Sequence, residues 1–182
     1  MIDVVLVGAG PTGLFLACEL ERLGIAPLVV EALPAPPGLS KALGLGGRSL
    51  DLLDARGMLD MFTSEIPNAP NRAALFHFGG VPIDAGRLPG APPRFVNLMQ
   101  AEIERRLEAY ATTRVEIRRG ITVRGVTATD EAVVVECERE TITARFVVGC
   151  DGARSIVRKS AAIEFVGTGA TQLLRLGDVK LA

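Results

Sequence analysis

The chain has no tryptophan, one tyrosine and one histidine. Its three cysteines, Cys18, Cys137 and Cys150, are widely spaced, with no Cys-x-x-Cys pair among them. That scarcity excludes a Cys/His zinc site and a disulfide framework, and each cysteine sits in an apolar context as a reduced core residue would. Charge of one sign is lacking too: 20 basic and 21 acidic residues leave a formal net charge of −1. A nucleic-acid binder would need a basic excess, so nucleic acid is not an expected partner. No block of like charge reads as an interaction tail. Apolar runs are strand-length and broken by Gly, Pro or charge, so no segment of about 18 residues could cross a membrane. The start, MIDVVLVGAG, lacks the basic head and cleavage site of a secretory signal, which predicts a cytoplasmic chain.

What is present is apolar material in a short pattern. Of 182 residues, 48% are hydrophobic, enough for a core and incompatible with disorder. Residues 3–8 (DVVLVG) form an apolar run without alternation, as a parallel strand buried on both faces would. Residues 11–23 follow at helical spacing, with Pro11 at the start and Gly24 just past the end. Residues 27–31 (PLVVE) make a second buried strand, completing a β–α–β unit. A Pro- and Gly-rich loop over 32–47 and a helix over 48–56 come next. Short strands are expected within 73–96, then an amphipathic helix over 98–110 and a strand over 115–118. Residues 120–128, 132–138 and 141–145 alternate as a three-stranded antiparallel meander. Residues 146–150 read as a separate buried parallel strand, 154–160 as a helix and 172–181 as a last strand.

Gly8, Gly10 and Gly13 spell G-x-G-x-x-G between the first strand and the first helix. The first glycine allows the tight turn, the second lets a pyrophosphate approach the backbone, and the third lets helix and strand pack closely. The phosphates would rest on free N–H groups at the helix N-terminus. Glu31 ends the second strand, where a carboxylate can accept from both hydroxyls of an adenosine ribose. Such an acid suits FAD or NAD and repels the extra phosphate of NADP. The triplet alone does not separate FAD from NAD.

The rest of the chain favours FAD. A meander leading into a parallel strand resembles the glutathione-reductase type of FAD-binding, Rossmann-like α/β fold. The run Val148-Gly149-Cys150-Asp151-Gly152-Ala153-Arg154-Ser155 to Lys159 resembles the DG motif of single-component flavin monooxygenases, the para-hydroxybenzoate hydroxylase family. Within that family the likeness is greatest to aromatic polyketide and antibiotic-modifying hydroxylases. Residues 48–57, 78–84 and 165–168 are similar to their counterparts there, so the resemblance covers the whole chain.

The resemblance implies a set of contacts. Gly8, Ala9, Gly10, Pro11, Thr12 and Gly13 line the FAD pyrophosphate, and Glu31 holds the adenosine ribose. Lys41 stands where the family carries arginine, a point charge without the bidentate fork; Arg48 keeps its arginine. Gln100 meets the ribityl–phosphate region, and Val123 reads the adenine edge through its backbone. Asp151, with Gly152, bridges the pyrophosphate region and helps the pyridine nucleotide dock; as a residue between strand and helix, Asp151 can also cap that helix, capping alone being the lesser alternative. Arg154 and Arg158 either guide that nucleotide or are plain surface arginines. The implied reaction is reduction of FAD by NAD(P)H and transfer of oxygen from O₂ to a small aromatic substrate. No side chain is an evident general acid or base, and His77 reads as structural.

Family members run to several hundred residues, so the resemblance implies a single FAD-binding N-terminal part over 1–182, with 73–97 and 165–182 beginning a substrate-binding sheet. Gly177-Asp178 imitates a later family motif but is followed by Val-Lys-Leu, as in a strand. The expected partner is the missing C-terminal portion or a second chain. Alone, the chain is expected to self-associate, hold FAD weakly and show no turnover. Two other classes stay open: a non-catalytic nucleotide-binding module and a small NAD-dependent dehydrogenase. The latter would need Tyr-x-x-x-Lys, and Tyr110 has Arg114 at the fourth position.

Overall fold

The structure, a computed structural model, describes residues 1–38, 42–66, 71–72, 75–84, 87, 94–169, 171 and 173, with the backbone alone for 71–72 and 75–78. Its elements run β1 (Ile2–Val7), α1 (Pro11–Arg22), β2 (Pro27–Glu31), β3 (Gly44–Gly46), α2 (Arg48–Ala55), α3 (Asp60–Thr63), β4 (Asn71–Arg72), β5 (Leu75–Phe78), β6 (Val81–Asp84) and β7 (Arg94–Asn97). There follow α4 (Gln100–Ala111), β8 (Glu116–Arg119), β9 (Val123–Ala128), β10 (Val133–Cys137), β11 (Thr141–Gly149) and α5 (Ile156–Ser160).

The main sheet has six strands in the order β8-β2-β1-β11-β10-β9. The first four run parallel, and β11-β10-β9 are antiparallel, so the mixed α/β fold is the one the pattern predicts. The absence of alternation in β1 and β2 follows from cover on both faces. Val4, Leu6 and Val29 face α1 and α4, while Val5, Val7, Leu28 and Val30 face the second cluster with Val135 and Ile142. Leu6 and Leu14 are fully buried against each other's layer; cutting either to alanine would cost about 2–5 kcal/mol. Pro11 opens α1 at a position that needs no N–H, and Gly24, at φ +80°, closes it.

Three expectations need correction. The third meander strand and the parallel strand predicted over 146–150 are one element. β11 pairs antiparallel with β10 through Thr141–Ala144 and parallel with β1 through Ala144–Gly149. The loop over 32–47 contains β3, which pairs with β7 in a small sheet ordered β3-β7-β4. Its glycines are explained by the partner: a Cβ on Gly44 would lie 2.6 Å from the Phe95 ring, and one on Gly46 2.9 Å from it. The cysteines are free, but only Cys18 is buried; Cys137 and Cys150 are half-buried. Of the strand expected over 172–181, only Leu173 is among the described residues, and it is exposed and in no strand. No helix among the described residues is long and apolar enough to cross a membrane.

Candidate functional site

Each glycine of the first loop has its own reason. Gly8 has φ +110°, and a Cβ there would lie 2.5 Å from the Cys150 carbonyl oxygen. A Cβ on Gly13 would lie 2.0 Å from the Gly8 carbonyl oxygen, so α1 can sit on the loop only without a side chain. Gly10 is different. Its φ of −75° and ψ of 178° suit any residue, and nothing lies within 4 Å of where its Cβ would be. Neither backbone nor neighbours require glycine there, and the space in front of it is open.

That space adjoins the N-terminus of α1. Gly10 caps the helix without a side-chain acceptor, and the first intrahelical amide is Leu14, which donates to Gly10 O at 3.0 Å. The Thr12 and Gly13 amides have no acceptor among the described residues, which leaves the positive end of the helix dipole open. Glu31 stands across the loop. Its Oε2 accepts from the Ala9 amide at 2.8 Å and its Oε1 from the Leu33 amide at 2.9 Å. A carboxylate offers about four acceptor positions, so both oxygens keep capacity for a ligand's hydroxyls.

These groups border a cleft of about 530 Å³. Of the residues expected at a nucleotide site, Gly8, Ala9, Gly10, Pro11, Thr12, Glu31, Gln100, Val123, Asp151 and Gly152 line it. Gly13 lies buried behind the loop. Arg48 does not reach the cleft wall; it is exposed at the start of α2 and makes no hydrogen bond or ion pair among the described residues. Lys41 lies outside the described residues.

Asp151 borders the cleft, but its carboxylate turns toward α5. Oδ2 accepts from the amides of Ile156 at 2.6 Å and Val157 at 3.3 Å, while Oδ1 is buried with no hydrogen-bond partner among the described residues. Ser155 Oγ accepts from the Arg158 amide at 3.0 Å. The capping alternative for Asp151 therefore describes the observed geometry.

Sequence reasoning missed Glu104, Arg119 and Cys150 as wall residues. Arg119 grips both Glu108 oxygens at 2.6 and 2.9 Å and donates to the Leu33 carbonyl at 3.3 Å, tying the segment after β2 to α4. Arg119 is the single cation lining the cleft among the described residues, and Glu108 neutralises it. An anion in the cleft would thus be met by backbone amides there. Cys150 has its thiol pushed above the ordinary range, first by burial and then by the Asp151 charge. The described residues contain no group of acids, histidines or cysteines that could hold a metal.

A sequence profile described as "FAD binding domain" matches residues 1–182. The chain is 40% identical over 185 residues to the uncharacterized aromatic compound monooxygenase YhjG of Bacillus subtilis (strain 168), covering 98% of this chain and 37% of the relative. It is 36% identical over 183 residues to the 12-dehydrotetracycline 5-monooxygenase/anhydrotetracycline 6-monooxygenase of Streptomyces rimosus, covering 98% and 36%. The crystal structure of CabE, an aromatic hydroxylase from angucycline biosynthesis, superposes with a TM-score of 0.84 at 42% identity, over 93% of this chain and 35% of that one. The chain therefore spans little more than a third of the length of the proteins it matches.

Proposed function

The chain belongs to the family of FAD-binding domains, and we propose that it is the nucleotide-holding, N-terminal part of an NAD(P)H-dependent flavin monooxygenase acting on an aromatic, polyketide-like compound. One observation carries the nucleotide reading: Gly10 faces open space beside an uncapped helix N-terminus, a cradle that a side chain would fill. The residues present fit a dinucleotide. The Gly8–Gly13 loop would hold the pyrophosphate, Glu31 the adenosine ribose, the Val123 backbone the adenine edge and Gln100 the ribityl side. Lys41 and Arg48 would supply positive charge. Asp151 and Gly152 would shape the pyrophosphate end, Asp151 by holding α5 in place.

When bound, the flavin supplies the redox chemistry and the activation of O₂; the protein supplies position and electrostatics. The acids of the described cleft wall are Glu31, Glu104 and Asp151, and Glu31 would accept hydrogens from ligand hydroxyls. Aromatic substrates are supported by the names of the relatives. Segments 73–97 and 165–182 would begin the sheet that meets such a substrate, the rest being supplied by a longer chain or a second one. In the cytoplasm, NAD(P)H would deliver reducing equivalents to the assembled enzyme. The 182-residue chain by itself would bind FAD without turnover and self-associate.

Titration with FAD, ADP and NADH, followed by absorption of the purified chain, tests this reading. FAD and ADP should both bind, and flavin bands at roughly 370 and 450 nm should accompany the retained cofactor. Tight NADH binding that FAD does not displace would overturn the assignment in favour of a dehydrogenase. Recovery of substrate-dependent NAD(P)H oxidation on adding the C-terminal portion tests the enzymatic half.

A further inference from the structure

Strands β2 and β8 are parallel neighbours, and their register sets Glu31 directly beside Arg119. Register partners on adjacent strands, about 4.8 Å apart, send their side chains to the same face of a sheet, and both of these residues line the cleft. Opposite charges so placed attract, yet Arg119 pairs with Glu108 of α4 and not with Glu31. Its Nε and Nη2 donate to the two Glu108 oxygens at 2.6 and 2.9 Å, and its Nη1 donates to the Leu33 carbonyl at 3.3 Å. The oxygens of Glu31 meet backbone amides instead, Ala9 at 2.8 Å and Leu33 at 2.9 Å.

The choice of partner has a chemical consequence. An arginine fork occupies both oxygens of a carboxylate, whereas one amide on each oxygen leaves capacity for further donors. The same fork also matches a phosphate. An unpaired Arg119 would therefore do two things at this end of the cleft. It would take the Glu31 oxygens that a ribose hydroxyl needs, and it would offer a cation to a phosphate carried on that hydroxyl. Glu108 prevents both by holding the fork. The pair is well covered, with side chains 17% and 16% exposed, so dissolved salt screens it little.

We propose that Glu108 is a positioning residue and a determinant of specificity. By holding Arg119 off Glu31, it keeps the cleft selective for an adenosine with a free 2′-hydroxyl over one bearing a 2′-phosphate. The proposal rests on the reading above that Glu31 receives an adenosine ribose. ADP and its 2′-phosphorylated form differ only at the hydroxyl in question, so the ratio of their dissociation constants reports this selection and cancels a general loss of binding.

Both constants are measured by calorimetry for the wild-type chain, E108A, E108Q, E108D, R119M and E108A/R119M, with far-UV circular dichroism to verify folding. The wild-type chain should favour ADP. E108A should weaken ADP and move the ratio at least about tenfold toward the 2′-phosphorylated form, as expected when a charge-assisted hydrogen bond is exchanged for a competing one. E108Q keeps one acceptor for Arg119 without the charge and should move the ratio roughly threefold; E108D keeps the charge and should stay within about twofold of wild type. In the R119M background E108A should leave the ratio within about twofold, since its effect passes through Arg119. A ratio unchanged in E108A, an equal loss for both ligands, or the same shift with and without Arg119 would overturn the role of Glu108. If E108A does not fold, an unchanged ratio in E108Q overturns it in the same way. A wild-type chain that binds neither ADP nor FAD would instead overturn the reading on which the proposal rests.

Discussion

Two turns stand side by side at the ends of neighbouring strands β1 and β11, and they treat the helix that follows in opposite ways. The Gly8–Gly13 turn leads into α1, 12 residues long, whose first amides have no side-chain acceptor. The Gly149–Ser155 turn leads into α5, 5 residues long, whose first amides are taken by Asp151 and Ser155. Both turns are glycine-bearing and both border the cleft. One leaves its donors open; the other already holds its own anion. A helix start is an anion site only where the chain has not filled it.

The largest test of this contrast is Gly10→Val. The backbone angles there are ordinary and the space is open, so the fold and its far-UV dichroism should be retained. FAD affinity should fall roughly a hundredfold or more, the loss of at least two charge-assisted hydrogen bonds. A folded variant that keeps FAD would place the phosphates elsewhere. Next comes Glu31→Ala, expected to cost about tenfold in FAD affinity measured by calorimetry, because one charged acceptor for the ribose disappears. It also removes the acceptor of the Ala9 amide, so ADP binding should weaken with it. An unchanged constant would sink the ribose assignment.

Asp151→Ala should act in the opposite manner. Losing a cap of α5 should lower stability by about 1 kcal/mol in denaturant unfolding, with little change in FAD affinity. A large affinity loss at unchanged stability would make the two turns equivalent and the contrast wrong. The smallest effect concerns Cys150, at the end of β11. Burial and then the Asp151 charge hold its thiol above the ordinary range, and only the thiolate is nucleophilic. Maleimide labelling should be slow at neutral pH and accelerate as pH rises through and beyond the usual thiol range. Asp151→Asn should speed it modestly, and FAD or ADP should slow it. Labelling indifferent to both ligands would separate the second turn from the ligand cleft.

Much of the first turn is legible in the sequence because a local rule governs it. An apolar run, three glycines and an acid at the next strand end lie within 31 residues, close enough together to be read as one local motif. The second turn is harder to read. Asp151 has the same identity whether it meets a ligand or caps a helix, and only the distances to Ile156 and Val157 decide its orientation. Strand β11 was divided in two by its pattern because its neighbours change along its length: alternation suits the meander half, and a solid apolar run suits the half beside β1. Strand β3 reads as loop because its glycines answer to Phe95, about 50 positions away in the chain, where no periodicity can report it. Glu104 resembles any charged residue of an amphipathic helix; its burial and its place on the cleft wall show only in the folded chain.

The double pairing of β11 also bears on how the molecule is made. Asp3 and Arg145, joined across the β1–β11 pair, are 142 positions apart. During synthesis β1, α1 and β2 emerge early, yet the inner edge of β1 stays unpaired until β11 leaves the ribosome. At 5–20 residues per second that delay is on the order of ten seconds. Throughout it, a row of strand amides and carbonyls stands open to a neighbouring nascent chain, and the nucleotide loop lacks the Cys150 carbonyl against which Gly8 is moulded. Cofactor capture is thus a late event in the life of this polypeptide, and the interval before it is when a chaperone has the most to protect.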